Sequence, residues 1–174
     1  KPPRLTATAA GSILWWKWSN RVKIAILGHS GSGKSTLARH LGEKYGVPVF
    51  YFDCVHWLPG WIMRERAETG RIVEEFLDSH DSWIMDGTYS RQHFDRRMRE
   101  ADQIVILSFN RFVCLYRVLK RLHDYRGKNR FSMTEGCPEK VDWDFVKWVL
   151  WKGRGKKNRN LFQNLCQSYP GKCV

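Results

Sequence analysis

The run Gly28-His29-Ser30-Gly31-Ser32-Gly33-Lys34-Ser35 constrains this chain more than any other feature. It follows a short apolar stretch, Val22 to Leu27, that reads as a buried parallel strand. It precedes a helix expected from Ser35 to about Tyr45, stopped by Gly46 and Pro48. Glycines let the backbone turn with positive φ, so that successive N–H groups point inward at phosphate oxygens. The helix start adds its positive dipole end. In such a loop Lys34 reaches the β- and γ-phosphates of a nucleoside triphosphate, and the Ser35 hydroxyl ligates Mg²⁺. The expected cofactors are ATP and Mg²⁺, held by Gly28, Ser30, Gly31, Ser32, Gly33, Lys34, Ser35 and Thr36. His29 reads as a loop spacer. The four fixed positions would match by chance in about one chain in a hundred or fewer of this length.

The rest of the chain alternates strands and helices. Val47 to Phe52 is β-branched and aromatic, a second strand closing on Asp53. A helix is expected near Arg64–Ser79, a third strand at Trp83-Ile84-Met85 and a fourth at Ile104 to Leu107. Phe112 to Leu122 and Trp143 to Trp151 read as helices, with a polar, turn-rich stretch from Gly127 to Pro138 between them. Alternation of this kind argues for a parallel α/β sheet. Lys172-Cys173-Val174 could at most begin a fifth strand. With 174 residues, one domain is expected over 21–174. Residues 1–20 lack acidic side chains and end in Trp15, Trp16 and Trp18; they read as a leader or flexible arm.

Two carboxylates stand where phosphate chemistry needs them. Asp86 ends the third strand before Gly87, at the strand edge where ligands bind in open α/β sheets. It is the candidate for the Mg²⁺ shell with Ser35, the alternative being a turn-forming Asp-Gly. Asp53 could accept a proton from a substrate hydroxyl or bind the acceptor, or it caps a turn. His56 could assist it or be a packed or solvated histidine, and Trp57 and Trp61, flanking Pro59-Gly60, could wall an acceptor pocket or serve as core.

Net charge is +13, and its placement matters. Residues 21–110 balance at 12 Lys/Arg against 12 Asp/Glu, whereas residues 111–160 carry 14 against 5. The basic segment is suited to an anion: polyphosphate, nucleic acid or an acidic lipid surface. Arg117 and Arg121 lie four apart and share a helix face, as lid arginines over a triphosphate would, with the lid segment at about 117–140. No apolar run approaches the ~20 residues needed to span a bilayer. The five scattered cysteines form no CxxC pair and read as buried thiols of a cytoplasmic protein, Cys137 holding a structural place in its turn.

From the phosphate loop to about Arg159 the chain resembles the DNA topology modulation proteins, adenylate-kinase-like P-loop proteins. The resemblance rests on GHSGSGKSTLAR (28–39), VPVFYFDCVHWLPGW (47–61), SWIMDGTYS (82–90), ADQIVILSFNR (101–111), CLYRVLKR (114–121) and EGCPEKVDWDFVKWV (135–149). It implies a three-layer α/β/α P-loop NTPase fold of nucleotide-kinase type, with a parallel sheet in the order 2-3-1-4-5, from which this sequence departs in a last strand that is absent or disordered. That order brings Asp86 next to Ser35. By the same likeness Arg117 and Arg121 look like lid arginines, and Asp53 sits where shikimate and gluconate kinases carry an acceptor-binding Asp. Arg91 is similar in neighbourhood to an acceptor-phosphate arginine, at a different offset from Asp86. Ser108-Phe109-Asn110 departs from the pattern, replacing an expected acidic position. The implied activity is phosphoryl transfer from Mg-ATP by Lys34, Asp53, Asp86, Arg117 and Arg121 to a small-molecule acceptor such as a nucleoside, nucleotide or metabolite. The alternative is an ATP-regulated nucleic-acid-binding protein, for which Trp143, Trp148 and Trp151 would stack on bases.

Overall fold

The computed structural model describes residues 21–174; the expected leader at 1–20 lies outside the described residues. Strand β1 (Lys23–Gly28) leads through the glycine loop into helix α1 (Lys34–Tyr45), and β2 (Val49–Tyr51) follows. A five-residue helix α2 (Phe52–His56) runs into a small antiparallel hairpin, β3 (Trp57–Leu58) and β4 (Ile62–Met63). Then come α3 (Arg66–Ser79), β5 (Trp83–Asp86), α4 (Phe94–Glu100) and β6 (Gln103–Leu107). The C-terminal part is helical, with α5 (Arg111–Asp124), α6 (Trp143–Leu150), a 3₁₀ turn at Lys152–Arg154 and α7 (Lys156–Ser168).

The main sheet is parallel in the order β2-β5-β1-β6. Setting the hairpin aside, this is the expected 2-3-1-4 sequence. The fifth position is also begun: Ile104 donates its N–H to the Lys172 carbonyl at 2.8 Å, and Val174 donates to Ile104 at 2.9 Å. Parallel strands are covered on both faces, so their residues divide between two cores. Ala25, Leu27, Trp83 and Met85 pack with Val73 and Leu77 of α3, Met98 of α4 and Leu165 of α7. Ile24, Ile26 and Ile84 face the other way, onto Ala38, Leu37 and Leu41 of α1. Helix, sheet and helix therefore make three layers, the fold class expected from the alternation.

The second strand is shorter than the sequence suggests. It ends at Tyr51, and Asp53 lies in the first turn of α2 instead of at a strand end. Helices α4 and α7 are additions to the expected set; their apolar residues are sparse among charges (FDRRMRE and KKNRNLFQNLCQS), so periodicity is weak. Asn110, in the departing Ser-Phe-Asn stretch, caps α5 by accepting the Phe112 N–H at 2.9 Å. The Gly127–Pro138 stretch holds no helix or strand, as expected.

Candidate active site

The phosphate loop is shaped by what lies under it. Gly31 has φ +77°, and a Cβ there would sit 2.4 Å from the Cys114 carbonyl oxygen of α5. Only glycine permits both the conformation and that approach. Ser32 is 2% exposed beneath the turn, and its carbonyl accepts from Arg117 Nη1 at 3.2 Å. Helix α1 starts at Lys34 without a side-chain cap, so its first-turn N–H groups have no intrahelical acceptor. Gly28, Ser30, Gly31, Gly33, Lys34, Ser35 and Thr36 line a cleft of about 1250 Å³.

Lys34 and Asp86 meet at the floor of this cleft. Lys34 Nζ donates to the His29 carbonyl at 2.9 Å, within its own loop. Burial pulls the ammonium below the ordinary lysine range, against the opposing pull of Asp86 and Asp53. Asp86 is 6% exposed, and burial pushes its carboxyl up, while Lys34 and a hydrogen bond from Ser35 hold it down. Its Oδ1 is buried without a hydrogen-bond partner. The residues fit Mg²⁺ on that observation: a hydroxyl, a carboxylate oxygen wanting a partner, and space for phosphate oxygens and water. Among the described residues there is no cluster of three or more acidic, His or Cys side chains, so the ion would not be caged by protein alone.

The sequence-predicted residues are brought together with two exceptions, Ser32, which is packed beneath the loop, and Arg91. Asp53, His56, Trp57, Trp61, Arg117 and Arg121 all line the cleft. Arg91 does not. It lines a separate shallow depression with Glu65, Arg66 and Glu74. His29 packs edge-on against Phe162 at 5.6 Å, and burial, with Arg154 and Lys34 nearby, brings its pKa down to about 4. It serves packing, as a spacer would.

Four further residues join the site; sequence reasoning counts Arg130 among the basic residues of the lid and misses the other three. Arg130 and Glu139 come from the turn-rich segment, which the sequence identifies only as a lid. Glu139, with a side chain 4% exposed, lies 3.1 Å from Arg121 and 3.4 Å from Arg130. Arg130 is also 3.2 Å from Asp53, whose other oxygen accepts the hydroxyl of the third residue, Tyr89, at 2.7 Å. An ionic chain thus runs from α5 through the lid to α2. Burial and the adjacent Arg130 push the Arg121 guanidinium down, and Glu139 pulls it back up. The fourth is Arg97, fully buried, which donates to the carbonyls of Gly87, Thr88 and Tyr89 at 3.1, 2.9 and 3.0 Å. It shapes the loop that follows Asp86. Without an acidic partner, burial lowers its pKa to about 9.

The lid segment is fastened to the acceptor side. The Thr134 hydroxyl lies 2.8 Å from the Cys54 carbonyl and 2.6 Å from that of Trp57, and the buried Cys137 thiol donates to Leu58 at 3.2 Å. All five cysteines are free thiols, and Cys137 has the structural place its turn suggested. Arg117, Arg121 and Arg130 line the cleft, while most other Lys and Arg side chains of the basic segment are exposed. Trp148 lines the cleft and, like Trp143 and Trp151, is exposed. Among the described residues no helix is long and apolar enough to cross a membrane.

No family model and no curated protein matches the sequence. Solved structures do. The shikimate kinase from Acinetobacter baumannii, in complex with shikimate, is 17% identical, with 91% of this chain and 86% of that chain covered and a TM-score of 0.55. A deoxyadenosine kinase from M. mycoides is 15% identical over 88% of each chain, TM-score 0.47. A gluconokinase from Sinorhizobium meliloti is 20% identical over 78% of each, TM-score 0.44. The likeness to the first is one of fold: this chain has the three-layer P-loop kinase architecture. The other two are too distant to bear an argument.

Proposed function

We propose that this chain transfers the γ-phosphoryl group of ATP, with Mg²⁺, to a hydroxyl-bearing small molecule. Its sequence motifs resemble those of the DNA topology modulation proteins. One observation carries the reading: Lys34, the Ser35–Asp86 pair and Asp53 open onto a single cleft, coupled through the charges they exert on one another. That is a polyphosphate cradle facing a hydroxyl-binding carboxylate.

The residues divide the work by position. Backbone N–H groups of the loop and the α1 start hold the phosphates, and Lys34 exchanges the His29 carbonyl for phosphate oxygens. Ser35 and Asp86 would hold Mg²⁺, which when bound neutralises charge on the phosphates. Asp53 orients the acceptor hydroxyl and takes its proton, while Tyr89 and Arg130 fix the carboxylate. Arg117 and Arg121 cover the transferred group from α5, excluding water and offsetting charge. Catalysis of this kind rests on placement, so little covalent chemistry is asked of the protein.

The test is transfer itself. Protein incubated with Mg-ATP and a mixture of nucleosides, nucleotides, sugars and sugar acids is followed by phosphorus NMR for ADP and a new phosphate ester. The ester should appear with wild type and be lost in Asp53→Asn. An ester formed equally by Asp53→Asn, or ATP left untouched with every acceptor, contradicts the proposal.

A further inference from the structure

We propose that the acceptor is an uncharged hydroxyl compound with a flat or C–H-rich ring, a nucleoside or a sugar, and not a carboxylate or phosphate ester. The inference rests on the phosphotransfer reading and adds the acceptor's charge and shape.

The shape comes from the wall beside Asp53. His56, Trp57, Trp61, Met63 and Tyr89 line that end of the cleft. Trp57 and Trp61 pack edge to face at 5.5 Å, and the His56 ring lies 5.0 Å from Tyr89. Trp61 and Tyr89 both have positive φ, 64° and 23°, a costly conformation for such residues that clusters where ligands are clamped. Trp61 is held in it by donating its indole N–H to the Pro138 carbonyl at 3.2 Å. An aromatic wall held at such cost suits a ring face.

The charge comes from the guanidinium groups nearest Asp53, which are already engaged. Arg130, 8% exposed, is shared between Asp53 and Glu139. Arg121 is drawn onto the same Glu139. Arg97 is buried and bonded to three backbone carbonyls, and Arg91 faces the other depression. Lys140 sits over the Trp61 ring at 5.2 Å, on the exposed mouth. An acidic acceptor would approach Asp53 with no unengaged guanidinium to receive it, and like charges so placed are a device of discrimination. Neutral hydroxyls meet the opposite situation. A carboxylate offers about four acceptor sites, and Tyr89 and Arg130 occupy two. His56 Nδ1, buried without a hydrogen-bond partner, offers another; burial keeps that imidazole neutral at ordinary pH.

The step balances for such an acceptor. The hydroxyl oxygen bonds to the γ-phosphorus, the bond from that phosphorus to the β,γ-bridging oxygen breaks, ADP leaves with that electron pair, and the hydroxyl proton passes to Asp53 and on to water.

The experiment is calorimetric titration of the full chain with Mg²⁺ and a non-hydrolysable ATP analogue, then with matched pairs. Nucleosides are paired with their monophosphates, and sugars with their sugar acids. At least one neutral member should bind with Kd below about 1 mM, its anionic partner at least about tenfold more weakly. Trp61→Ala should weaken that neutral compound by about tenfold or more. The nucleoside and sugar arms tell the two sources apart. An anionic member binding as tightly as its partner overturns the proposal, as does the absence of binding by every neutral compound at about 10 mM. The analogue titrated alone separates the two readings: if it binds and no neutral compound does, the acceptor inference fails while the phosphate site stands.

Discussion

Replacing Gly31 by alanine separates two costs that the structure assigns to different places. An L-residue at φ +77° costs about 1–2 kcal/mol for its backbone alone. The new Cβ would also stand 2.4 Å from the Cys114 carbonyl oxygen and 2.9 Å from Val118 Cγ2, the first about 1 Å inside ordinary contact. Forcing α5 off the loop by that amount adds roughly 1–3 kcal/mol of overpacking strain. Gly46→Ala supplies the control, because Gly46 has φ +64° and nothing within 4 Å of the point where a methyl would stand. It should lose only the backbone term, about 1–2 kcal/mol. The two variants should therefore differ by about 1–3 kcal/mol in urea unfolding followed by tryptophan fluorescence. With a slope near 2 kcal/mol/M, that is about 0.5–1.5 M in the midpoint. Because Arg117 rides on α5 and bonds to Ser32, Gly31→Ala should also weaken ATP binding. Equal midpoints, within about 0.2 M, would refute the buttressing of the loop by α5.

Arg97→Leu should lower the melting temperature by roughly 10 °C, since one buried and two half-buried carbonyls lose their donor at a cost of about 3 kcal/mol; a shift under about 2 °C by calorimetry would contradict the role given to Arg97. Asp86→Asn should leave metal-free ATP binding in place and remove its enhancement by Mg²⁺, read by titration with and without the ion; retained enhancement counts against Asp86 in the metal shell. His29 has its pKa lowered from 6.5 to about 4, so between those values the unfolded chain binds a proton that the folded chain does not. Its contribution to stability is present above pH 6.5 and is lost as pH falls toward 4, and His29→Asn should flatten that part of the unfolding profile.

The parts of the site that can be read in the sequence are those whose chemistry is local. Gly31, Gly33, Lys34 and Ser35 stand close together because one turn of backbone does the work, and β5 ends on Asp86 because Gly87, at φ +137°, turns the chain out of the strand. Arg117 and Arg121 are legible from helix spacing. Glu139 and Arg130 are not, since what gives them meaning is contact with Arg121 and Asp53, the latter 77 residues from Arg130. A turn-rich segment has no periodicity to say which side chains point inward. Tyr89 and Arg97 escape for a related reason: each looks like an ordinary polar residue until the loop after β5 is folded around it. Asp53 is legible although its setting is not, because the aromatic run that suggests a longer strand packs equally well as the first turn of α2, with Phe52 buried. The fifth strand is foreseeable only as a beginning, and the pairing of Lys172–Val174 with β6 is that beginning.

The most direct measurement is calorimetric titration of Mg-ATP into wild type and into Lys34→Ala, with melting curves on both. Lys34 makes no salt bridge among the described residues and bonds to a loop carbonyl, so its loss should leave the melting temperature nearly unchanged. Affinity should fall at least tenfold, the ~1.5 kcal/mol lower bound for a charge-assisted hydrogen bond. Equal affinity in the two proteins, or no binding of Mg-ATP to the wild type, would contradict the assignment of this cleft.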